Sequence, residues 1–111
     1  SPSAKVILVS GSMENVISTI NEKISTDEKN GLRVGVMATT QTKDRYIGGE
    51  VLVVGDRTKP ETIGANLFKI LRKFDFIGVD IVYSEVFDED GEGAAIMNRL
   101  NKAAGFNYIK C

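Results

Sequence analysis

The apolar positions along this chain change their period several times, and each change marks an element. Val6-Ile-Leu-Val9 is a compact β-branched run between Pro2 and Ser10-Gly-Ser12, the pattern of a strand covered on both faces. Val16, Ile17, Ile20 and Ile24 then recur at i, i+1, i+4 and i+8 with polar Asn15, Ser18, Asn21, Glu22 and Lys23 around them, which predicts an amphipathic helix. Asn30-Gly31 supplies its stop. Arg33 to Ala38 reads as a second strand ending in Thr39-Thr-Gln-Thr42, and the Gly48-Gly49 pair turns the chain into a third at Val51 to Val54. The connector between these two strands has room only for a turn or a brief helix.

Thr58-Lys-Pro-Glu61 has the form of a capping box, with Pro60 at an early helical position where its missing donor costs nothing. Behind it Ile63, Leu67, Ile70, Leu71 and Phe74 make a stripe at i, i+4, i+7, i+8 and i+11, with Lys69, Arg72 and Lys73 largely on other faces. Gly78 ends this helix. Val79 to Glu85 reads as a fourth strand, Gly91 to Ala104 as a third helix stopped by Gly105, and Tyr108-Ile109 as a short last strand. The order β-α-β-β-α-β-α-β predicts an α/β, Rossmann-like three-layer fold: a mostly parallel five-stranded sheet with helices on both faces.

The chain has 111 residues, 42% of them hydrophobic and 26% charged, which suits one domain around one core. Its 14 Lys and Arg against 15 Asp and Glu give a net charge of -1, so no overall field draws a phosphate backbone, and direct nucleic-acid binding is not expected. Apolar runs are far too short to span a bilayer and the start lacks a secretory pattern, which predicts a cytoplasmic protein without a membrane partner. Cys111 is the single cysteine and reads as a free thiol. The sequence contains no histidine, which removes the usual general base and the commonest metal ligand and weighs against catalysis by this chain alone.

In a parallel sheet of this kind the loops beyond the C-terminal strand ends converge on one rim, where ligands are normally bound. That rim carries Ser10, Gly11 and Ser12, then Thr39, Thr40 and Thr42, then Asp56 and Arg57, then Glu85. Hydroxyls and glycine near helix starts serve either an anionic ligand or ordinary caps and turns. Gly91-Glu-Gly93 invites a dinucleotide reading that fails at Ile96, where the third small residue belongs, and no Walker-type motif occurs. Asp88, Glu89, Asp90 and Glu92 are oxygen ligands in principle, but counting from Asp88 puts Arg99 where a calcium loop needs glutamate. Those acids complement the positive end of the following helix, and no metal site is assigned. Asn98 and Arg99 lie off the apolar line of Met97, Leu100 and Ala104 and point about 100° apart. One of the two is expected to pair with a neighbouring loop, through Glu85 or Asp80, or else to contact another domain.

One string is distinctive. The run from Asn66-Leu-Phe through Leu71-Arg72, Asp75, Gly78-Val-Asp80, Glu85 and Gly91-x-Gly to Ile96-Met-Asn-Arg-Leu100 and Lys102-Ala-Ala104 resembles the C-terminal domain of the long, two-domain threonylcarbamoyl-adenylate synthases. Val34-Gly-Val-Met-Ala-Thr39 and Ser1-Pro2-Ser3-Ala4 are similar to the same domain, so the resemblance covers essentially the whole chain. It implies that residues 1–4 end an interdomain linker and that residues 5–111 form a single accessory domain. The family condenses L-threonine, bicarbonate and ATP into threonylcarbamoyl-AMP and pyrophosphate, for the threonylcarbamoyladenosine modification of tRNA. That chemistry belongs to an N-terminal YrdC-like catalytic domain of the same chain, with ATP and magnesium as its cofactors. None is implied for this fragment, so no catalytic residue carries over.

What the resemblance does carry is an accessory role, packing beside the catalytic domain and helping to close its active site. Glu85, Asn98, Arg99 and Lys102, with Gly91 and Gly93, match the family's signature, and the first-named four become candidates for the domain contact. Glu92 and the acidic loop depart from it where an apolar residue is usual. The alternative reading is a regulatory module that binds a nucleotide or threonine at the rim through Ser10, Gly11, Ser12, Thr39, Thr40 and Arg57.

Overall fold

Strands and helices alternate through the computed structural model, which describes residues 3–111: β1 (Lys5–Ser10), α1 (Met13–Lys29), β2 (Val34–Thr39), a 3-10 turn (Lys43–Arg45), β3 (Glu50–Gly55), α2 (Pro60–Ile77), β4 (Ile81–Ser84), α3 (Glu92–Ala103) and β5 (Tyr108–Lys110). The strands form one five-stranded sheet in the order β3-β2-β4-β1-β5, and each neighbouring pair is parallel. The short connector expected between the second and third strands holds the 3-10 turn and still delivers β3 parallel to β2. The fourth strand is shorter than expected, beginning at Ile81 rather than Val79 and ending at Ser84, although the Glu85 amide still donates to the Met37 carbonyl at 3.3 Å.

Alternation along β1 explains the layers. Val6 and Leu8 enter a core with Leu67, Leu71 and Phe74 of α2 and Met97 and Leu100 of α3, whereas Ile7 and Val9 face Val16, Ile17, Ile20 and Ile24 of α1. Helices therefore cover both faces, and the predicted stripes are the buried ones. Ile70 alone among the α2 stripe is only partly buried and packs at the margin of that core. Gly78 ends α2 in the left-handed region at φ 86°, where its amide reaches the Phe74 carbonyl.

Close approach demands glycine at several positions, Gly35 and Gly93 among them. A Cβ at Gly35 would lie 2.6 Å from the Phe74 ring, and one at Gly93 would lie 1.9 Å from the Asp88 carbonyl oxygen. The Gly91-x-Gly93 spacing thus lets the acidic loop fold onto the start of α3.

The capping box does not form. Thr58 turns back, its amide and hydroxyl both donating to Asp56 Oδ1 at 2.8 and 2.7 Å, and Lys59 occupies the N-cap without a side-chain bond. A closed Asx turn two residues long outcompetes a cap that must reach across a helical turn. Pro60 does open the helix, as expected.

At the start of the described chain, the amides of Ser3 and Ala4 donate to Asp75 Oδ1 at 3.0 and 3.2 Å, and Ala4 is buried in the core with α2. Asp75 on α2 therefore clamps the incoming backbone. The proposed linker end includes Ser1 and Pro2, which lie outside the described residues; Ala4 already packs as part of the domain. Among the described residues no helix is long and apolar enough to cross a membrane.

Candidate functional site

The strand order creates a switch point. β1 connects across β4 to β2, while β4 connects across β1 to β5, so the loops after β1 and β4 leave toward opposite faces and open a crevice between them. Into this rim the sheet delivers a buried carboxylate. Glu85, just beyond β4, is 0% exposed. Its Oε1 accepts from Thr39 Oγ1 at 3.1 Å and Arg57 Nη2 at 3.0 Å, and its Oε2 accepts from Thr42 Oγ1 at 2.5 Å and Tyr46 Oη at 2.6 Å. One side chain thereby ties together the ends of β2 and β4, the connector after β2 and the loop after β3.

Arg57 is held on three sides. Besides Glu85, its Nη2 donates to the Val86 carbonyl at 2.9 Å, and its guanidinium carbon sits 4.8 Å from the centre of the Phe87 ring. Its Nε is buried with no hydrogen-bond partner among the described residues. A crevice of about 320 Å³ beside it is bordered by Gly11, Met13, Val86, Phe87 and Asp88.

Other rim residues make local contacts. Ser12 Oγ accepts from the Asn15 amide as the N-cap of α1, Thr40 Oγ1 donates to the Gly55 carbonyl, and Ser10 and Gly11 pack against Cys111, whose amide donates to Ser10. Ser12 thus caps α1 and Thr40 bonds to the end of β3, while Thr39 and Arg57 are brought together on Glu85. Tyr46 was not foreseen in this cluster. A lone aromatic in the polar connector Lys43-Asp-Arg-Tyr-Ile47 was the only signal.

The expected pairing of Asn98 or Arg99 through Glu85 or Asp80 does not form. Glu85 takes Arg57 instead, whose guanidinium reaches past the end of β2 from the loop after β3 to donate to Glu85 Oε1 at 3.0 Å. Being wholly buried, Glu85 presents no surface to another domain and braces the rim from within. Asp80 is likewise engaged elsewhere, its Oδ2 accepting from the Arg33 amide at 2.7 Å. Asn98, Arg99 and Lys102 lie far along α3, exposed, where they line a groove of about 620 Å³ against Phe68, Leu71, Arg72 and Asp75 of α2. Sequence spacing placed them off the core; only the packing of α2 on α3 put them in one depression. The described residues contain no cluster of His, Cys, Asp and Glu arranged for a metal ion.

Burial raises the Tyr46 hydroxyl far above its ordinary value, and the negative charge of Glu85 adds to this; burial and Asp27 do the same for Tyr83. Both phenols stay protonated and donate. A raised native pKa contributes stability that is complete below the unfolded value, about 10, and is lost as pH climbs above it. Urea midpoints should therefore fall between about pH 9 and 11, and a Tyr46→Phe/Tyr83→Phe double variant should show a flatter decline. Equal slopes for the two proteins would contradict this assignment.

With the geometry in place, comparison with known proteins decides the relationship. The family profile described as "Threonylcarbamoyl-AMP synthase, C-terminal domain" matches residues 1–105. The chain belongs to this family. It is similar to the threonylcarbamoyl-AMP synthases of Pyrococcus abyssi, at 42% identity over 98% of this chain, and of Bacillus subtilis, at 38% over 98%. In both cases it spans only 30% of the relative's length. Among solved structures, P. abyssi Sua5 complexed with L-threonine superposes with a TM-score of 0.86 at 41% identity, covering 100% of this chain and 31% of that one. The C-terminal Sua5 domain from Pyrococcus horikoshii matches end to end, at a TM-score of 0.79 and 36% identity. The family expectation read from Asn66 to Ala104 is thereby met, and so is the fold.

Proposed function

We propose that this is the non-catalytic accessory domain of an L-threonylcarbamoyladenylate synthase. The parent protein joins L-threonine, bicarbonate and ATP into threonylcarbamoyl-AMP and pyrophosphate for tRNA modification, in the cytoplasm. Its YrdC-like catalytic domain holds the ATP and magnesium. This domain packs against that one and helps close its active site. The observation that carries the reading is the full-length match of this chain to under a third of each synthase. Its internal chemistry is consistent with bracing, since the buried Glu85 carboxylate accepts from four donors.

The contact is assigned to the groove that Asn98, Arg99 and Lys102 line, because the backbone of Ser3 and Ala4 is clamped to Asp75 in the wall of the same groove. The alternative, a nucleotide or threonine module at the rim, draws on the crevice beside Arg57, where the Ser12 and Thr40 hydroxyls are already engaged in internal bonds.

In the full-length protein, Arg99→Glu with Lys102→Glu should cut threonine- and bicarbonate-dependent pyrophosphate release about tenfold, equivalent to roughly 1.4 kcal/mol in the barrier. Both side chains are exposed, so thermal unfolding of the domain should be unchanged. Full activity in that variant, or turnover by residues 1–111 alone, would overturn the proposal.

A further inference from the structure

The domain's arginines divide into two classes. Arg33, Arg45 and Arg57 each face a carboxylate, on Glu50, Glu14 and Glu85. Arg72 and Arg99 face none among the described residues, and both line the groove between α2 and α3, with Lys102 beside them. Asp75 is the only carboxylate in that lining, and its Oδ1 is occupied by the amides of Ser3 and Ala4. A chain with 14 basic and 15 acidic residues has therefore gathered uncompensated positive charge in one depression. The same groove exposes apolar surface: Phe68 is 49% exposed, and Leu71 and Ala103 complete the lining.

Resting on the accessory reading above, we infer that the groove receives an acidic segment of the catalytic domain. Its Asp or Glu carboxylates would seat on Arg72, Arg99 and Lys102, and an apolar side chain would lie against Phe68. Guanidinium forks match carboxylates in a bidentate fashion and lose little freedom in doing so, which favours them at protein contacts. Clamping of residues 3 and 4 to Asp75 brings the preceding chain to the edge of this groove, so a tethered partner meets it at high effective concentration. An RNA backbone would call for a basic track extending across the surface, whereas here the charges converge on one apolar-floored depression.

A zero-length carbodiimide crosslinker, which joins an amine directly to a carboxylate, tests this in the full-length protein. Peptide mapping should find Lys102 linked within the same chain to an Asp or Glu of the catalytic domain. The yield should fall about tenfold in the exposed Arg72→Glu/Arg99→Glu variant, and also at high salt, where ion pairs are screened. Circular dichroism confirms that the variant is folded. The inference is overturned if Lys102 gives no such link, if it links only to Asp75 or to the acidic loop of a second copy, or if added tRNA alone protects it. Activity separates the two readings: a synthase that needs this domain yet gives no interdomain link at Lys102 retains the accessory role and loses the acidic occupant.

Discussion

Replacing Glu85 by alanine should lower the unfolding free energy of this domain by about 3–5 kcal/mol, the usual cost of breaking a buried charged pair by removing one partner. The loss has two sources. Arg57, with only 29% of its side chain exposed, is left without its carboxylate, and Thr39, Thr42 and Tyr46 are left aiming hydroxyls at an empty space. Domains of this size have about 5–15 kcal/mol in all, so the variant should be marginal at best. Glu85→Gln keeps the volume but turns an amide donor toward groups that are themselves donors, and should fall between alanine and the native residue. Urea denaturation measures all three. An alanine variant within about 1 kcal/mol of the native protein would mean that the cluster is satisfied by water and that the brace is not real.

Phe74→Ala should cost a similar amount, about 3–5 kcal/mol, because this ring is 0% exposed and fills the space between α2 and the sheet. The notch that receives it is Gly35 on β2, where an added Cβ would stand 2.6 Å from the ring. Gly35→Ala alone should therefore be destabilising, by about 1–3 kcal/mol through overpacking. Combined with Phe74→Ala it should cost much less, since the methyl then occupies vacated space. The double-mutant cycle should show clear coupling, and strict additivity would argue that the ring and the glycine do not share that volume.

These two variants probe features of different legibility. The burial of Phe74 was evident from its place in the stripe begun by Ile63 and Leu67, because helical spacing alone puts those side chains on one face. Its dependence on Gly35 was not, since nothing in Val34-Gly-Val36 says which helix lies above it. Glu85 marked the end of a strand and matched a family signature, yet its partners could not be named. Thr39, Thr42, Tyr46 and Arg57 lie 46, 43, 39 and 28 residues away along the chain. Asn98 or Arg99 is the partner that spacing suggests for Glu85 or Asp80; the fold sets Glu85 against Arg57 instead, which reaches it from the loop after β3 past the intervening β2. At Thr58 the error ran the other way, where a correct helix start was given the wrong cap because Asp56 competed for the same hydroxyl.

The sequence by itself determined the order of strands and helices, the faces they bury, the helix stops and the family, because each of these is written in local spacing, turn chemistry or a contiguous string. Only the tertiary structure decided the order β3-β2-β4-β1-β5, the partner of the buried carboxylate, and the groove where Arg72 and Arg99 face no carboxylate among the described residues. Periodicity fixes which way a side chain faces relative to its own element. Which distant residue it meets depends on how the elements cross, and that is settled by packing the whole core at once.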